Sequence, residues 1–265
     1  MKYTAFLLKK GYTDNYIGFH FKNIKVFFAY LEQDGFPGIS QVSKSFYIRK
    51  EEIPVLVLLP EQLSFLINNT EFEQTLTPKL KRTKDFFVFG CTVALRFSDL
   101  LRLKKSNLVK TNSSCYLRVV SQKTETETQI KLPAYALKIL EQNKSSNNFI
   151  LPRISMVNLN KSIKELIEAA GWTHQLPKIR SKNGKKIEIK SKNNKPSRFC
   201  DQMSSHVMRR TAITTMLILG VPEQVVRKIS GHAASSKEFY RYVNFSKAFQ
   251  DQETDMMFER LIRIK

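Results

Sequence analysis

Residues 86–95 are the most constraining stretch of this sequence, because they read FFVFGCTVAL and leave almost no polar side chain on any side. They lie within a predicted helix that begins at Thr77–Pro78 and continues to Leu95. A helix that is apolar all round must be surrounded by protein. A chain of 265 residues with 42% hydrophobic residues can supply such a core. The sequence therefore predicts a globular fold built around this helix.

The net charge is large and positive. Lys and Arg number 44 against 23 Asp and Glu, which gives a formal charge of +21. Such an excess is typical of proteins that bind a polyanion, and it favours nucleic acid over the alternative that the charge serves solubility alone. We therefore expect a nucleic acid as the partner.

Residues 173–200 concentrate this charge and contain a single acid, Glu188. The Asn-Gly pair at 183–184 is typical of a hairpin turn, so the segment is interpreted as a polar loop with a hairpin in it. Five of its cations are predicted to contact the backbone of that nucleic acid: Lys178, Arg180, Lys182, Lys185 and Lys186. A solvated charged loop is the alternative interpretation.

Several classes of protein are disfavoured. The longest apolar run, 53–59, is interrupted by Pro54 and is far shorter than the ~18 residues of a membrane span. The apolar part of the first eleven residues is too short for a signal peptide, so a cytoplasmic protein without a membrane segment is expected. Cys91, Cys115 and Cys200 are odd in number and lack C-x-x-C spacing, which disfavours a disulfide scaffold and a zinc knuckle. No acidic cluster suggests a metal site, and no cofactor is expected.

The periodicity predicts a mainly α chain with a small antiparallel β-sheet. Strands are predicted over Cys115–Ser121 and Thr128–Leu132, on either side of a polar turn. The predicted helices, besides the central one, are Asp14–Leu31, one that opens at Pro60, Asp99–Leu103, Pro133–Glu141, Leu159–Ala170, Ser205–Leu219, Pro222–Ser230 and Ser246–Ile264. We divide the chain into a helical domain over 1–48, a linker over 49–59 and a second domain over 60–265.

Four elements carry candidate chemistry. They are Arg96 within ALRFSDL at 94–100, Lys123 at the predicted hairpin, His206-x-x-Arg209, and Gly231-His232 followed by FYRY at 239–242. In this order they resemble the tyrosine recombinase, or phage integrase, family, whose catalytic set is two arginines, a hairpin lysine, two histidines and a nucleophilic tyrosine. The resemblance covers about residues 60–245. Within the family, the chain resembles the short integrases of Bacteroidetes mobile elements.

The resemblance implies a tyrosine-recombinase-like catalytic domain preceded by a short helical DNA-clamp domain. Arg96 and Arg209 would bind the scissile phosphate, because a guanidinium stays charged and can bind phosphate bidentately. Lys123 would protonate the leaving 5′ oxygen as a general acid. Tyr242 would attack phosphorus and form a 3′-phosphotyrosine link, so that neither metal nor ATP is needed.

Three further residues receive supporting roles. His206 lies one helical turn before Arg209 and would assist proton transfer at the tyrosine. His232 would hydrogen-bond the phosphate, and Asp99 would orient Arg96. Taken singly, each motif residue also has an ordinary structural interpretation, such as a solvated lysine or a packing aromatic. The order of the whole set along the chain favours a recombinase-type active site over these interpretations.

The chain departs from the family pattern in three places. Ala94 stands where the family commonly has glycine, which is expected to matter little. The family's usual spacing from histidine to nucleophile falls between Tyr240 and Tyr242, which lie eight and ten residues after His232. We favour Tyr242, because the step from Phe239 to Tyr242 suits one helix face and Tyr240 would point about 200° away. The amino-terminal region is also shorter than a usual clamp domain.

The expected function is site-specific breakage and rejoining of DNA, for integration or excision of a mobile element. The resemblance implies a homotetramer on two duplexes as the working complex. Two alternatives stay open. One is a type IB topoisomerase-like enzyme with the same chemistry, and the other is a degenerate integrase that acts as a DNA-binding regulator.

Overall fold

The computed structural model describes residues 2–36, 38, 41, 44, 46–47, 51–120, 127–143, 148–190 and 194–263. The helices are α1 (Lys2–Lys9), α2 (Asp14–Gln33), α3 (Pro60–Asn68), α4 (Thr70–Thr75), α5 (Pro78–Val93), α6 (Phe97–Leu100), α7 (Ala134–Gln142), α8 (Met156–Ala169), α9 (Ser205–Ile218), α10 (Glu223–Ser230) and α11 (Lys237–Arg263). The strands are β1 (Leu108–Lys110), β2 (Cys115–Val120), β3 (Glu127–Lys131), β4 (Ile179–Lys182) and β5 (Lys185–Glu188). The prediction of a mainly α fold with small antiparallel sheets is confirmed.

The chain divides into two compact units. The first comprises residues 1–54 together with 174–199, and the second comprises 55–173 together with 200–265. The boundary at 54/55 falls inside the linker predicted over 49–59. Residues 174–199, which the predicted domain over 60–265 includes, are instead part of the first unit.

The first unit has a small apolar core between its helices. Leu7 on α1 packs with Ile17 and Phe21 on α2, and the half-buried Ile24 and Phe46 extend the cluster. The predicted apolar stripe of α2 is therefore buried mainly in its first two turns.

Residues 174–199 form a long β-ribbon in the same unit. Its base is closed by a bridge between Gln175 and Arg198, and β4 pairs antiparallel with β5 at its tip. Asn183 and Gly184 connect the two strands with φ angles of 51° and 78°. The predicted hairpin turn is confirmed, because this left-handed pair gives the tight turn that matches the twist of the strands.

The second unit is built around α5. Phe87 and Phe89 are completely buried, and the helix packs against α3, α7, α8 and α9. Gly90 allows the close approach of α9, since a Cβ there would lie 2.5 Å from Met208 Sδ. The expectation that this apolar helix is central to the core is confirmed.

A three-stranded antiparallel sheet, in the order β1-β2-β3, lies beside this helical core. Leu117 pairs with Ile130, and both are buried. Strand β1, which no periodic signal predicted, adds to the other edge of β2. Strand β3 also packs against α10, which places the described ends of the β2–β3 hairpin next to the segment that carries Gly231.

Two further expectations can be compared with the described ranges. None of the helices found there combines the length and the apolar character that a membrane crossing requires. Cys91, Cys115 and Cys200 are each buried as free thiols.

Candidate active site

Main-chain carbonyls from two different elements hold Arg209 at the centre of the site. Arg209 lies on α9, and its Nη1 donates to Ala94 O at 2.8 Å while its Nη2 donates to Ser230 O at 2.7 Å. None of the ion pairs among the described residues includes Arg209. The site therefore contains a half-buried cation that is held by neutral groups and has no acid paired with it in the described part of the chain.

The electrostatics of Arg209 reflect this arrangement. Burial, together with the nearby charge of Arg96, lowers the pKa of its guanidinium to about 10. Tyr242 and Asp99 act in the opposite direction, since their negative forms would favour the guanidinium cation. An anion that entered this site would relieve the same repulsion.

Arg96 follows a strained turn at the end of α5. Ala94, which ends the helix, is completely buried and has φ 54° and ψ 18°. This left-handed conformation costs an L-residue other than glycine about 1–2 kcal/mol. The sequence-based expectation that alanine matters little here did not take this conformation into account. The left-handed conformation is the reason why glycine suits the position. The turn brings the Ala94 carbonyl to Arg209 and starts α6 immediately after Arg96.

His232 lies against the guanidinium of Arg209. Arg209 Nη2 is 3.4 Å from His232 Nδ1 and 3.3 Å from Nε2. Ser230 Oγ donates to Val226 O at 2.7 Å and lies 2.8 Å from His232 Nδ1. Because the serine has one proton and gives it to the carbonyl, its oxygen accepts from Nδ1–H. This leaves the lone pair of the neutral ring on Nε2.

The surroundings of His232 keep the ring neutral. Burial, together with the positive charges of Arg209, Arg96 and Arg227, lowers its pKa to about 4. Gly231, which ends α10 with φ 62°, provides the left-handed step that turns the chain towards the histidine. A neutral imidazole can accept a proton at Nε2, the nitrogen that lies 3.3 Å from Arg209 Nη2.

Tyr242 and Tyr240 lie on the same helix but face different surroundings. Tyr242 is half-buried on α11 and packs against the core that contains Phe239 and Val243. Its ring centroid lies 6.1 Å from that of His232. Tyr240 is 51% exposed. Helix α11 begins at Lys237 rather than at the predicted Ser246, so both tyrosines belong to it.

Arg227 is a residue of this region that the sequence did not single out. Its guanidinium lies 4.0 Å from the centre of the Phe239 ring and 5.0 Å from that of Tyr240. It also donates to Ala233 O at 3.3 Å. These contacts connect α10 to the first turn of α11, and an isolated arginine in a sequence gives no signal of them. Ser230 was also missed, for the same reason.

The remaining candidates lie in different places. Asp99 is buried on α6, and His206 is exposed in the first turn of α9. Lys123 lies outside the described residues. The five predicted DNA-binding cations lie on the ribbon of the first unit. The candidates that the structure brings together lie in the second unit, and they are Arg96, Asp99, Arg209, His232 and Tyr242.

Three solved structures share this fold at low sequence identity. The Tn1549 transposon integrase in complex with circular intermediate DNA has a TM-score of 0.61 and 14% identity, over 91% of this chain and 78% of that chain. A lambda integrase dimer bound to a COC′ core site has a TM-score of 0.54 and 14% identity, over 84% and 57%. The XerH site-specific recombinase bound to palindromic difH substrate has a TM-score of 0.53 and 14% identity, over 77% and 54%. This chain thus spans little more than half the length of the XerH chain.

The fold is therefore that of a tyrosine recombinase catalytic domain. The sequence model of the phage integrase family matches residues 57–248, and the chain belongs to that family. This confirms the resemblance inferred from the motifs. No curated protein matches the chain in sequence.

Proposed function

We propose that the protein is a site-specific DNA recombinase that breaks and rejoins DNA through a 3′-phosphotyrosine intermediate, without metal or ATP. One observation carries the proposal. Arg209, a half-buried cation with no paired acid among the described residues, lies beside Arg96, the neutral His232 and the inward-facing Tyr242. Family membership supports the same chemistry.

The scissile phosphate would bind between Arg96 and Arg209. Transfer at phosphorus builds negative charge on the non-bridging oxygens, and preorganised donors stabilise that charge best where water is excluded. Two carbonyls already fix Arg209, so its fork requires little reordering when the phosphate arrives. Each arginine would lower the barrier by about 3–4 kcal/mol.

Tyr242 would then attack phosphorus while the bond to the 5′ oxygen breaks. The electron pair of that bond stays on the 5′ oxygen, which takes a proton from Lys123. The proton of Tyr242 would pass to His232 Nε2, with His206 as the other candidate acceptor. A bound phosphate offsets the arginine charges that lower the pKa of His232, and the resulting imidazolium would hydrogen-bond a phosphate oxygen. Rejoining reverses these steps with a new 5′ hydroxyl.

The biological setting is also part of the proposal. Its partner would be double-stranded DNA, bound in the cytoplasm by a homotetramer that holds two duplexes. Its role would be the integration or excision of a mobile element, of the type that Bacteroidetes integrases serve. Asp99 would keep Arg96 oriented, and the cations at 178–186 would bind the DNA backbone.

Strand exchange between two different duplexes tests this function. Two duplexes that carry the DNA flanking the gene, one of them fluorescent, are incubated with the protein in EDTA. Recombinant products are expected from the wild-type protein and not from Tyr242→Phe. Relaxation of supercoils without exchange would instead indicate a topoisomerase-like enzyme, and tight binding with neither reaction would indicate a degenerate binder.

A further inference from the structure

Within the second unit, the carboxyl end of α10 is closed by a Schellman motif in which Arg227 is one of the acceptors. His232 N donates to Arg227 O at 3.0 Å, and Gly231 N donates to Lys228 O at 3.3 Å. These two bonds commonly close a helix whose next residue is left-handed, as Gly231 is. The main chain of Arg227 therefore fixes the place at which the chain turns to His232.

The side chain of Arg227 crosses this turn and reaches the start of α11. Its guanidinium lies 4.0 Å from the centre of the Phe239 ring and 5.0 Å from that of the Tyr240 ring. Its Nη1 also donates to Ala233 O at 3.3 Å. The same carbonyl accepts from Ser236 N at 3.0 Å, just before α11 begins. One side chain thus contacts the loop between α10 and α11 and two consecutive aromatic residues of α11.

The guanidinium of Arg227 is largely shielded from water. Its side chain is 12% exposed, and its Nη2 lies 3.7 Å from Glu223 Oε2 one turn earlier on α10. Glu223 is 43% exposed, and an ion pair of this kind contributes little to stability. A cation over an aromatic face is attracted more strongly when it is shielded from water. The contacts with Phe239 and Tyr240 therefore outweigh the ion pair.

Phe239 connects these contacts to the candidate active site. It is completely buried in the core against which Tyr242 packs. Its ring centroid lies 5.4 Å from that of His232 and 6.2 Å from that of Tyr242, and both ring pairs are edge to face. Tyr242 lies three residues after Phe239 and so on the same side of the helix. A shift of the first turn of α11 would therefore move Tyr242 relative to His232.

We propose that Arg227 is a positioning residue for the nucleophile, and that the exposed Tyr240 is its stacking partner on α11. The planar guanidinium holds the first turn of α11 against the end of α10, and this contact keeps Tyr242 beside His232. The inference rests on the proposed function in taking Tyr242 as the nucleophile. It gives Tyr240 a role that requires its aromatic ring and not its hydroxyl.

The first experiment separates the charge of Arg227 from its planar shape. Adduct formation by the full chain on a nicked duplex is measured at saturating DNA for Arg227→Lys. A lysine keeps the charge, but its single ammonium cannot cover two rings and bind Ala233 O together. A misplaced nucleophile should slow the reaction by about 10–100-fold. Arg153→Lys, the same replacement at the arginine that stacks on Phe149, is the control. A wild-type rate in Arg227→Lys would overturn the proposal.

The second experiment compares the ring of Tyr240 with its hydroxyl. Tyr240→Phe keeps the aromatic face, and its adduct should form at the wild-type rate. Tyr240→Leu removes the face at a residue that is 51% exposed, and its adduct should form more slowly. In the Arg227→Lys background, Tyr240→Leu should cost little more, because the contact is already lost. Equal rates for Tyr240→Phe and Tyr240→Leu would refute the role of Tyr240.

Two measurements on the free protein keep the outcome interpretable if Arg227→Lys disturbs folding. In urea unfolding, Arg227→Lys and Tyr240→Leu should be coupled by about two- to fivefold in the folding equilibrium constant, the range for one cation–π contact. Hydrogen exchange should show lost protection at the Ser236 and Phe239 amides while α9 stays protected. Additive effects on unfolding, with unchanged protection at these amides, would overturn the proposal.

The outcomes also separate this inference from the proposed function. Wild-type rates of adduct formation in both Arg227→Lys and Tyr240→Leu would refute the positioning role and leave the recombinase chemistry standing. Coupling between Arg227 and Tyr240 in unfolding, without any adduct from the wild-type protein, would support Arg227 as the residue that holds α11 in a protein that no longer cuts DNA.

Discussion

Replacing Arg209 with lysine separates the effect of positive charge from that of guanidinium geometry. Arg209 holds two carbonyls from different elements, Ala94 O and Ser230 O, with two different nitrogens. A lysine ammonium is a single point on a flexible stem and cannot reproduce this fork. One carbonyl left unpaired costs about 1–3 kcal/mol of stability. The lost contact to the transition-state phosphate should slow cleavage by about 10²–10³-fold.

The assay is single-turnover formation of the covalent adduct on a nicked duplex at saturating DNA. At saturating DNA, a change in DNA affinity no longer affects the measured rate, so the rate of adduct formation reports the chemical step. Urea unfolding of the free protein measures the stability cost separately. Arg210→Lys, the same replacement at the next residue of α9, serves as the control and should change the rate by less than about threefold. An Arg209→Lys rate within tenfold of wild type would refute the argument, since charge alone would then suffice.

Three further predictions concern the surroundings of this site. The free energy of unfolding should fall as the pH drops from 6.5 to about 4, because the unfolded chain gains a proton on His232 before the folded protein does. In urea unfolding, His232→Gln should flatten this part of the dependence of stability on pH. Gly90→Ala should destabilise by about 1–3 kcal/mol through its clash with Met208, and Met208→Ala in the same chain should remove most of that cost in thermal unfolding. Gly231→Ala should cost about 1–2 kcal/mol for its left-handed φ and slow adduct formation, whereas unchanged stability would show that the turn relaxes.

The sequence was most informative where a local pattern decides the structure. The apolar run at 86–95 predicted the central helix, and the Asn-Gly pair predicted the turn of the ribbon. Helix periodicity also separated Tyr242 from Tyr240, and the exposed fraction of Tyr240 agrees with that choice. The catalytic roles themselves stay predictions until the variants are measured.

Contacts between distant parts of the chain could not be predicted in this way. Asp14 and the ribbon tip lie about 170 residues apart in sequence, and an aspartate at a helix start is ordinarily explained by the helix dipole. Ser230 contacts Arg209, and Arg227 contacts Phe239, which are residues that only folding brings close. The left-handed conformation of Ala94 could not be predicted from the sequence, because alanine is not a residue that indicates a turn.

A metal-free covalent adduct tests the central claim most directly. The protein is incubated in EDTA with a nicked suicide duplex from the DNA that flanks its gene, and SDS-resistant protein–DNA species are measured for wild type, Tyr242→Phe and Tyr240→Phe. We predict an adduct with wild type and Tyr240→Phe and none with Tyr242→Phe. An adduct that persists in Tyr242→Phe and disappears in Tyr240→Phe would contradict the assignment, and a reaction that requires Mg²⁺ would contradict the proposed chemistry.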